Sequence, residues 1–178
     1  MDPIHFRNYN ITLLEPHQGE KFFKLIDDNR PRLEAFFAGT VAKTKTLEDT
    51  ITYGKLIEER INDKHYFPFI IVDTRTDTFI GLIDVKNIEW AIPKAEIGYF
   101  IDAHYEGNGI ISEGLGLLVA YLADTYQFKK LLCRASSTNL GSMNVALKND
   151  FELEGTIRRD YRTTDGTLVD LNYYGRLF

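Results

Sequence analysis

The segment Lys94-Ala95-Glu96-Ile97-Gly98-Tyr99-Phe100-Ile101, followed by Glu106-Gly107-Asn108-Gly109-Ile110-Ile111-Ser112-Glu113-Gly114, decides the fold through its change of period. The first part alternates. Ala95, Ile97, Tyr99 and Ile101 stand opposite Glu96, Gly98 and Phe100, as in a strand with one face in a core. The second part is a glycine turn. It leads into Leu115, Leu118, Val119, Leu122 and Tyr126, spaced i, i+3, i+4, i+7 and i+11 on one helical face. A helix N-terminus carries unpaired N–H groups and a partial positive charge, and glycines let the backbone approach a bound group closely. A phosphate or pyrophosphate suits such a turn. Two familiar phosphate loops do not fit. The dinucleotide fingerprint needs glycine where Ser112 stands, and the P-loop needs Lys where Gly114 is followed by Leu115. Read as a plain connection, the same residues predict a turn capped by Ser112, with Glu113 in the first helical turn.

Outward from this segment the chain alternates between the two periods. Residues 10–14 read as a short strand closed by Glu15-Pro16, and residues 17–29 as a helix carrying Phe22, Phe23, Leu25 and Ile26. Pro31 opens a further short helix with Leu33, Phe36 and Phe37, ended at Gly39. A third helix starts near Thr46, with Glu48 and Asp49 at its positive end and a stripe of Leu47, Ile51, Ile57 and Ile61. Residues 66–73 and 78–86 form a hairpin across Thr74-Arg75-Thr76-Asp77. Beyond the central helix come a strand at 130–136, a helix at 139–149, and a hairpin of 151–162 with 168–177 around Thr164-Asp165-Gly166-Thr167. The order is mixed α/β.

The 178 residues are 44% hydrophobic, and folding a chain of this size removes roughly two-thirds of its surface from water. No Gly/Ser/Pro linker divides it, so residues 1–178 are expected to form a single domain. Acidic residues outnumber basic ones, 26 to 21, for a net charge of -5. That balance argues against direct nucleic-acid binding and gives a modest aid in attracting cationic amines. The single cysteine, Cys133, excludes an internal disulfide and argues against a zinc-thiolate site; the four histidines have no metal spacing. No apolar run reaches the roughly 18 residues of a membrane span, and the first residues lack a signal-peptide core, so a cytoplasmic, membrane-free protein is expected.

The segment at 94–114 resembles the acetyl-CoA-binding strand, loop and helix of the GNAT superfamily of N-acetyltransferases. Asn139-Leu140-Gly141-Ser142, then Val145-Ala146-Leu147-Lys148-Asn149-Asp150-Phe151 and Glu154-Gly155, resemble that superfamily's second cofactor motif. Together they are similar to the ribosomal-protein N-terminal acetyltransferases, which acetylate ribosomal proteins on Ser or Ala. The resemblance implies a GNAT fold: a mixed, mostly antiparallel sheet of about seven strands flanked by helices, splayed at a cofactor cleft. It implies acetyl-CoA as cosubstrate and no metal. The N–H groups of Gly107, Asn108, Gly109, Ile110, Ile111 and Ser112 would hold the pyrophosphate, with Glu106 at the loop's start. Asn139 and Ser142 would sit beside the thioester, and backbone N–H groups near Phe100 and Ile101 would polarise its carbonyl. The chain departs from the family pattern at Glu106, where Arg or Gln is usual, at Ile111, and at Asp150 before Phe151. Dimerisation is common in the family, and no residue pattern here decides for or against a homodimer.

Acetyl transfer to an amine needs a neutral nucleophile, an oxyanion stabiliser and a proton for the departing thiolate. The resemblance assigns the acid to Ser142. Glu96, whose strand neighbours point the other way, is the candidate base, acting through water. The base position of the ribosomal enzymes aligns with Tyr161, so that role does not carry over. A protein α-amino group, with a pKa near 7.7–8.0, asks less of a base than lysine near 10.4. Cys133 reads as a buried apolar side chain rather than an acyl carrier. Trp90 is a candidate rim residue for the acceptor, and Tyr173 and Tyr174 straddle the faces of the last strand. The function expected is direct acetyl transfer to a protein N-terminus. A small amine acceptor, such as a polyamine or aminoglycoside, and a non-catalytic acyl-CoA-binding module are the alternatives.

Overall fold

Alternating residues at 94–101 become the central strand of a mostly antiparallel sheet. In a computed structural model that describes residues 1–178, the elements are β1 (Ile4–Phe6), β2 (Tyr9–Leu13), α1 (Gly19–Leu33), α2 (Ala38–Lys43), α3 (Leu47–Asn62), β3 (Phe67–Asp73), β4 (Thr78–Glu89), β5 (Lys94–Ile101), α4 (Ile110–Tyr126), β6 (Lys130–Ser136), α5 (Leu140–Lys148), β7 (Glu152–Arg162) and β8 (Leu168–Leu177). Eight strands lie in the order β1-β2-β3-β4-β5-β6-β8-β7. The strand beyond the expected seven is β1, whose three residues are too few to show a period.

One pairing is parallel, β5 with β6, and it runs only from Lys94↔Lys130 to Ile97↔Cys133. Past that point β6 stays paired with β8 as far as Ser136↔Leu171, and β5 stays with β4 through Ile101↔Gly81. Gly98 to Ile101 therefore have no strand partner on the β6 side. The sheet is split there.

Each face of the sheet carries its own core. Ala95, Ile97 and Ile101 pack with Leu115, Leu118, Val119 and Leu122 of α4. The other face packs Ile70 and Leu82 beneath Phe22, Leu25, Ile26 and Ile57 of α1 and α3. Those four α4 residues are 0% exposed, and burying each contributes about 2 kcal/mol. That outweighs the roughly 1 kcal/mol that each of Gly114 and Gly116 costs inside the helix. A Cβ at Gly114 would come within 3.3 Å of the Phe6 ring, and one at Gly116 within 2.7 Å of Asn149 Oδ1, so both positions are closely packed.

Three local expectations change. Pro31 does not open a new helix; it lies inside α1, which ends at Leu33. It sits in the last turn, and the carbonyl whose partner it removes belongs to the exposed residue Asp27. α3 begins as expected, with Thr46 Oγ1 accepting from Asp49 N at 3.1 Å and Asp49 Oδ2 accepting from Thr46 N at 3.2 Å. Its buried face, however, is Thr50, Tyr53 and Ile57, while Leu47 and Ile51 are exposed to one side, where Ile51 covers Gly19 of α1. The cap of α4 is Gly109 rather than Ser112. No helix is long and apolar enough to cross a membrane.

Candidate functional site

The split between β5 and β6 opens a cleft of about 800 Å³. One end is built by the glycine turn and the start of α4. Gly107 and Gly109 take φ of +74° and +71°, the left-handed region that glycine enters freely. The first bond of the α4 ladder runs from Glu113 N to Gly109 O at 3.0 Å, so the N–H groups of Ile110, Ile111 and Ser112 precede it and emerge at the helix end. Ser112 caps nothing. Its carbonyl and hydroxyl instead accept from Asn149 Nδ2 at 3.0 and 3.3 Å, which ties the first turn of α4 to the end of α5. Of the expected loop residues, Glu106, Gly107, Gly109, Ile111 and Ser112 line the cleft. The Ile110 side chain is buried in the core, and the Asn108 side chain turns back to donate to the carbonyls of Tyr105 and Glu106 at 3.3 and 3.0 Å. The Asn108 carbonyl accepts from Arg7 Nη1 at 3.0 Å, and Arg7 also pairs with Glu113 at 2.5 Å.

The second motif meets the first across the split. Asn139 caps α5, its Oδ1 accepting from Ser142 N at 3.1 Å. The Ser142 carbonyl accepts from Tyr99 OH at 2.7 Å, which fixes the turn against β5. Burial, with Cys133 alongside, pushes the Tyr99 phenol well above its usual range, so it stays a donor. Asn139 and Ser142 both line the cleft, as do Phe100 and Ile101. Cys133 is 2% exposed, and burial, then the Glu96 charge, push its thiol up. It is unsuited to carry an acyl group.

The other end lies on the α1 side of the sheet and is a ladder of alternating charge. Lys86 Nζ meets Asp84 Oδ1 at 3.2 Å. Arg134 Nη2 donates to Glu96 Oε1 at 3.0 Å, and Arg134 Nη1 to Asp160 Oδ2 at 3.2 Å. Tyr173 OH adds a bond to Asp160 at 2.6 Å. Burial alone would lower the Lys86 ammonium; Asp84 and Glu96 outweigh it and leave its pKa raised. Glu96 Oε2 accepts from Asn87 Nδ2 at 2.9 Å, so both oxygens of this candidate base are engaged. Phe37, edge-on to Phe100 at 5.2 Å, forms the wall. Tyr161 OH accepts from Ala38 N at 3.3 Å and joins β7 to the start of α2.

Sequence reasoning does not single out Lys86, Arg134 or Asp160, and it reads Phe37 mainly as core, in an aromatic stripe whose helices could wall the acceptor. Strand alternation places Arg134 two residues from Leu132, which pairs with Glu96, and so on the Glu96 face; the pairing itself is not written in the sequence. Asp160 and Tyr161 are aimed by a break in the β7–β8 register between Ile157 and Tyr161, where Arg159 takes φ of +53°. Trp90 lies away from the cleft. Its Nε1 donates to Lys64 O at 3.0 Å and its ring stacks on Phe128. Tyr174 is buried, leaving Tyr173 on the charged face.

One end thus presents backbone donors for an anion, and the other a shaped polar wall, with an open path between them. The family model described as an acetyltransferase (GNAT) domain matches residues 12–152. The ribosomal-protein-serine acetyltransferase of Escherichia coli (strain K12) is 34% identical over 103 residues, 58% of this chain and 57% of that one. The Bacillus subtilis (strain 168) protein YdaF is 30% identical over 174 residues, covering 94% of this chain and 90% of its own. The structure of RimL, a ribosomal L7/L12 α-N-protein acetyltransferase in complex with coenzyme A, superposes with a TM-score of 0.90 at 20% identity, over 99% of this chain and 98% of that one. This last likeness is one of fold.

Proposed function

The chain belongs to the acetyltransferase (GNAT) family, and from that premise we propose that it transfers acetyl from acetyl-CoA directly to the α-amino group of a protein N-terminus. The observation that carries the reading is the split sheet, with the free N–H groups of α4 at one end of an open cleft and a charge-paired polar wall at the other. RimL was solved with coenzyme A, and the E. coli relative is named for serine acetylation of a ribosomal protein. Both support the choice of donor and acceptor. Acetyl-CoA supplies the acyl group as a thioester, whose C–S bond breaks as the amine forms the C–N bond.

The residues divide the work. Amides from Gly107 to Ser112 hold the pyrophosphate. The N–H of Ile101, on the unpaired edge of β5, would face the reacting carbonyl, while the Phe100 backbone is turned to β4. Ser142 gives the proton that the leaving thiolate takes and regains one from solvent, and Glu96 draws the amine proton through water and returns it to solvent. An α-amino group is already partly neutral near pH 7.5, so a base held by Arg134 and Asn87 suffices. At the acceptor end the three carboxylates Asp84, Glu96 and Asp160 share two cations, Lys86 and Arg134, which leaves one negative charge to attract a single ammonium such as a peptide's N-terminus. Thiol release from acetyl-CoA, followed across N-terminal peptides, polyamines and aminoglycosides with mass spectrometry of the products, tests the proposal. Peptide-specific release with the acetyl group on the α-amine supports it. Release only with small amines transfers the acceptor assignment to them, and binding without release makes the protein a non-catalytic module.

A further inference from the structure

Glu106 sets a carboxylate at the start of a loop whose amides suit an anion. Two negative groups side by side repel, the more so as a ligand displaces water between them. The fold places a guanidinium there from a distant part of the chain. Arg32, in the last turn of α1 and 74 positions from Glu106, pairs its Nη2 with Glu106 Oε1. Its Nη1 donates to Asn29 Oδ1 at 2.9 Å and to Ile101 O at 3.4 Å.

This guanidinium stands on a built support. Asn29 is 1% exposed, donates to Leu25 O at 3.0 Å and Asp102 Oδ2 at 2.8 Å, and accepts from Ala103 N at 3.2 Å. Arg32 is thereby fixed to the end of β5 and to the segment leading into the glycine turn. Its side chain remains 41% exposed and lines the same cleft as Gly107 and Gly109. A guanidinium carries five donors in a planar fork matched to phosphate oxygens, and the bonds to Glu106, Asn29 and Ile101 do not use Nε.

We infer that Arg32 is a contact residue for the pyrophosphate of the donor, its guanidinium offsetting Glu106 and presenting its remaining donors to the phosphate oxygens. The inference rests on acetyl-CoA being the donor. It makes the cationic group missing from position 106 a contribution of α1. Leu33, Phe36 and Phe37, next along the chain, also line the cleft, so donor phosphate and acceptor wall meet on one segment.

Calorimetric titration of wild type, Arg32→Ala, Arg32→Lys and Glu106→Gln with coenzyme A and 3′-dephospho-coenzyme A reads the contact directly. Transfer from S-acetylpantetheine, which has no pyrophosphate, is the reference reaction. Losing one partly exposed charge-assisted bond should weaken both coenzymes about tenfold in Arg32→Ala. kcat/KM with S-acetylpantetheine should change less than about twofold, and the salt dependence of coenzyme binding should flatten. Arg32→Lys, which keeps the charge without the fork, should fall between, and Glu106→Gln should bind more tightly. These two variants carry the test if Arg32→Ala does not fold. Unchanged coenzyme affinity, or an equal loss with S-acetylpantetheine, makes Arg32 a mere staple for α1 and overturns the inference. A loss confined to coenzyme A moves the contact to the 3′-phosphate and overturns the pyrophosphate assignment. A wild-type protein that binds neither coenzyme overturns the proposed function with it, whereas a wild type that binds while the variants match it overturns the inference alone.

Discussion

Alanine at the left-handed glycines separates the cost of the loop's conformation from its cost to the ligand. Gly107, Gly109 and Gly166 have φ of +74°, +71° and +89°. A Cβ at Gly107 or Gly166 meets nothing within 4 Å, and one at Gly109 comes no nearer than 3.9 Å, to Arg7 Nη2. Without a clash, each substitution costs only the left-handed strain, about 1–2 kcal/mol. For a chain of this size that is a fall in Tm of about 2–8 °C. Gly166 lies in the β7–β8 turn, so its variant is the control. In the loop the strain can be relieved only by rotating the backbone, yet Gly109 O holds Glu113 N at 3.0 Å and Asn108 O is held by Arg7 at 3.0 Å. Relief there swings the following amides out of line. One amide bond to a charged oxygen contributes about 1.5–3 kcal/mol, so about ten- to a hundredfold in Kd. Melting curves with titration of acetyl-CoA should show all three variants losing Tm, and only Gly107→Ala and Gly109→Ala losing affinity. Wild-type affinity in both, beside the same fall in Tm as Gly166→Ala, refutes the amide cradle.

Ser142→Ala should lower kcat while leaving acetyl-CoA affinity in place, because the bonds to Asn139 and Tyr99 use the Ser142 backbone and survive; unchanged turnover removes the hydroxyl from the chemistry. Glu96→Gln keeps the shape beside Arg134 and should move the acidic limb of the pH–rate profile, and an unmoved limb discards Glu96 as base. The Arg75 side chain, helped by the Tyr105 hydroxyl against the effect of burial, holds the buried Asp73 carboxyl down from 3.8 to about 2. With the folded value below the unfolded one, the stabilisation is present above about pH 4 and is lost as pH falls through 2. Asp73→Asn should therefore cost about 1–2 kcal/mol at pH 7, since Arg75 is 60% exposed and screened, and should flatten the fall in stability between pH 4 and 2. Matching acid-unfolding slopes for the two proteins would sink that account.

Contiguous signals were legible and assembled ones were not. The alternation at 94–101, the helix start near Thr46 with its acidic first turn, and the glycine turn all state their structure within a few residues. The errors arose where a local rule met a tertiary condition. Proline reads as a boundary, but Pro31 is tolerated because the carbonyl it frees, on Asp27, is at the surface. Leu47 and Ile51 read as a core stripe, yet the face turned to the sheet is the one carrying Thr50, Tyr53 and Ile57. The glycine turn lies within one stretch, and five of the seven residues expected from it line the cleft. The acceptor end joins five strands by register, and a register break chooses which residues of β7 enter it.

Charge shows the same limit, and with a consequence. A net charge of -5 suggests a molecule that draws in cations. The cleft differs: Arg32, Lys86, Arg134 and Lys148 line it with Glu96 and Glu106, and only Lys86 and Arg134 are further paired, with Asp84 and Asp160. Whole-molecule charge acts beyond a Debye length of about 8 Å only weakly at physiological salt, whereas lining charges act at contact. The ligand that gains most from this lining is therefore the anionic donor rather than the amine. Rising salt should then weaken acetyl-CoA binding before it alters acceptor KM. A cleft that instead tightened on acetyl-CoA as salt rose would mean that the acidic exterior, and not the lining, governs what enters.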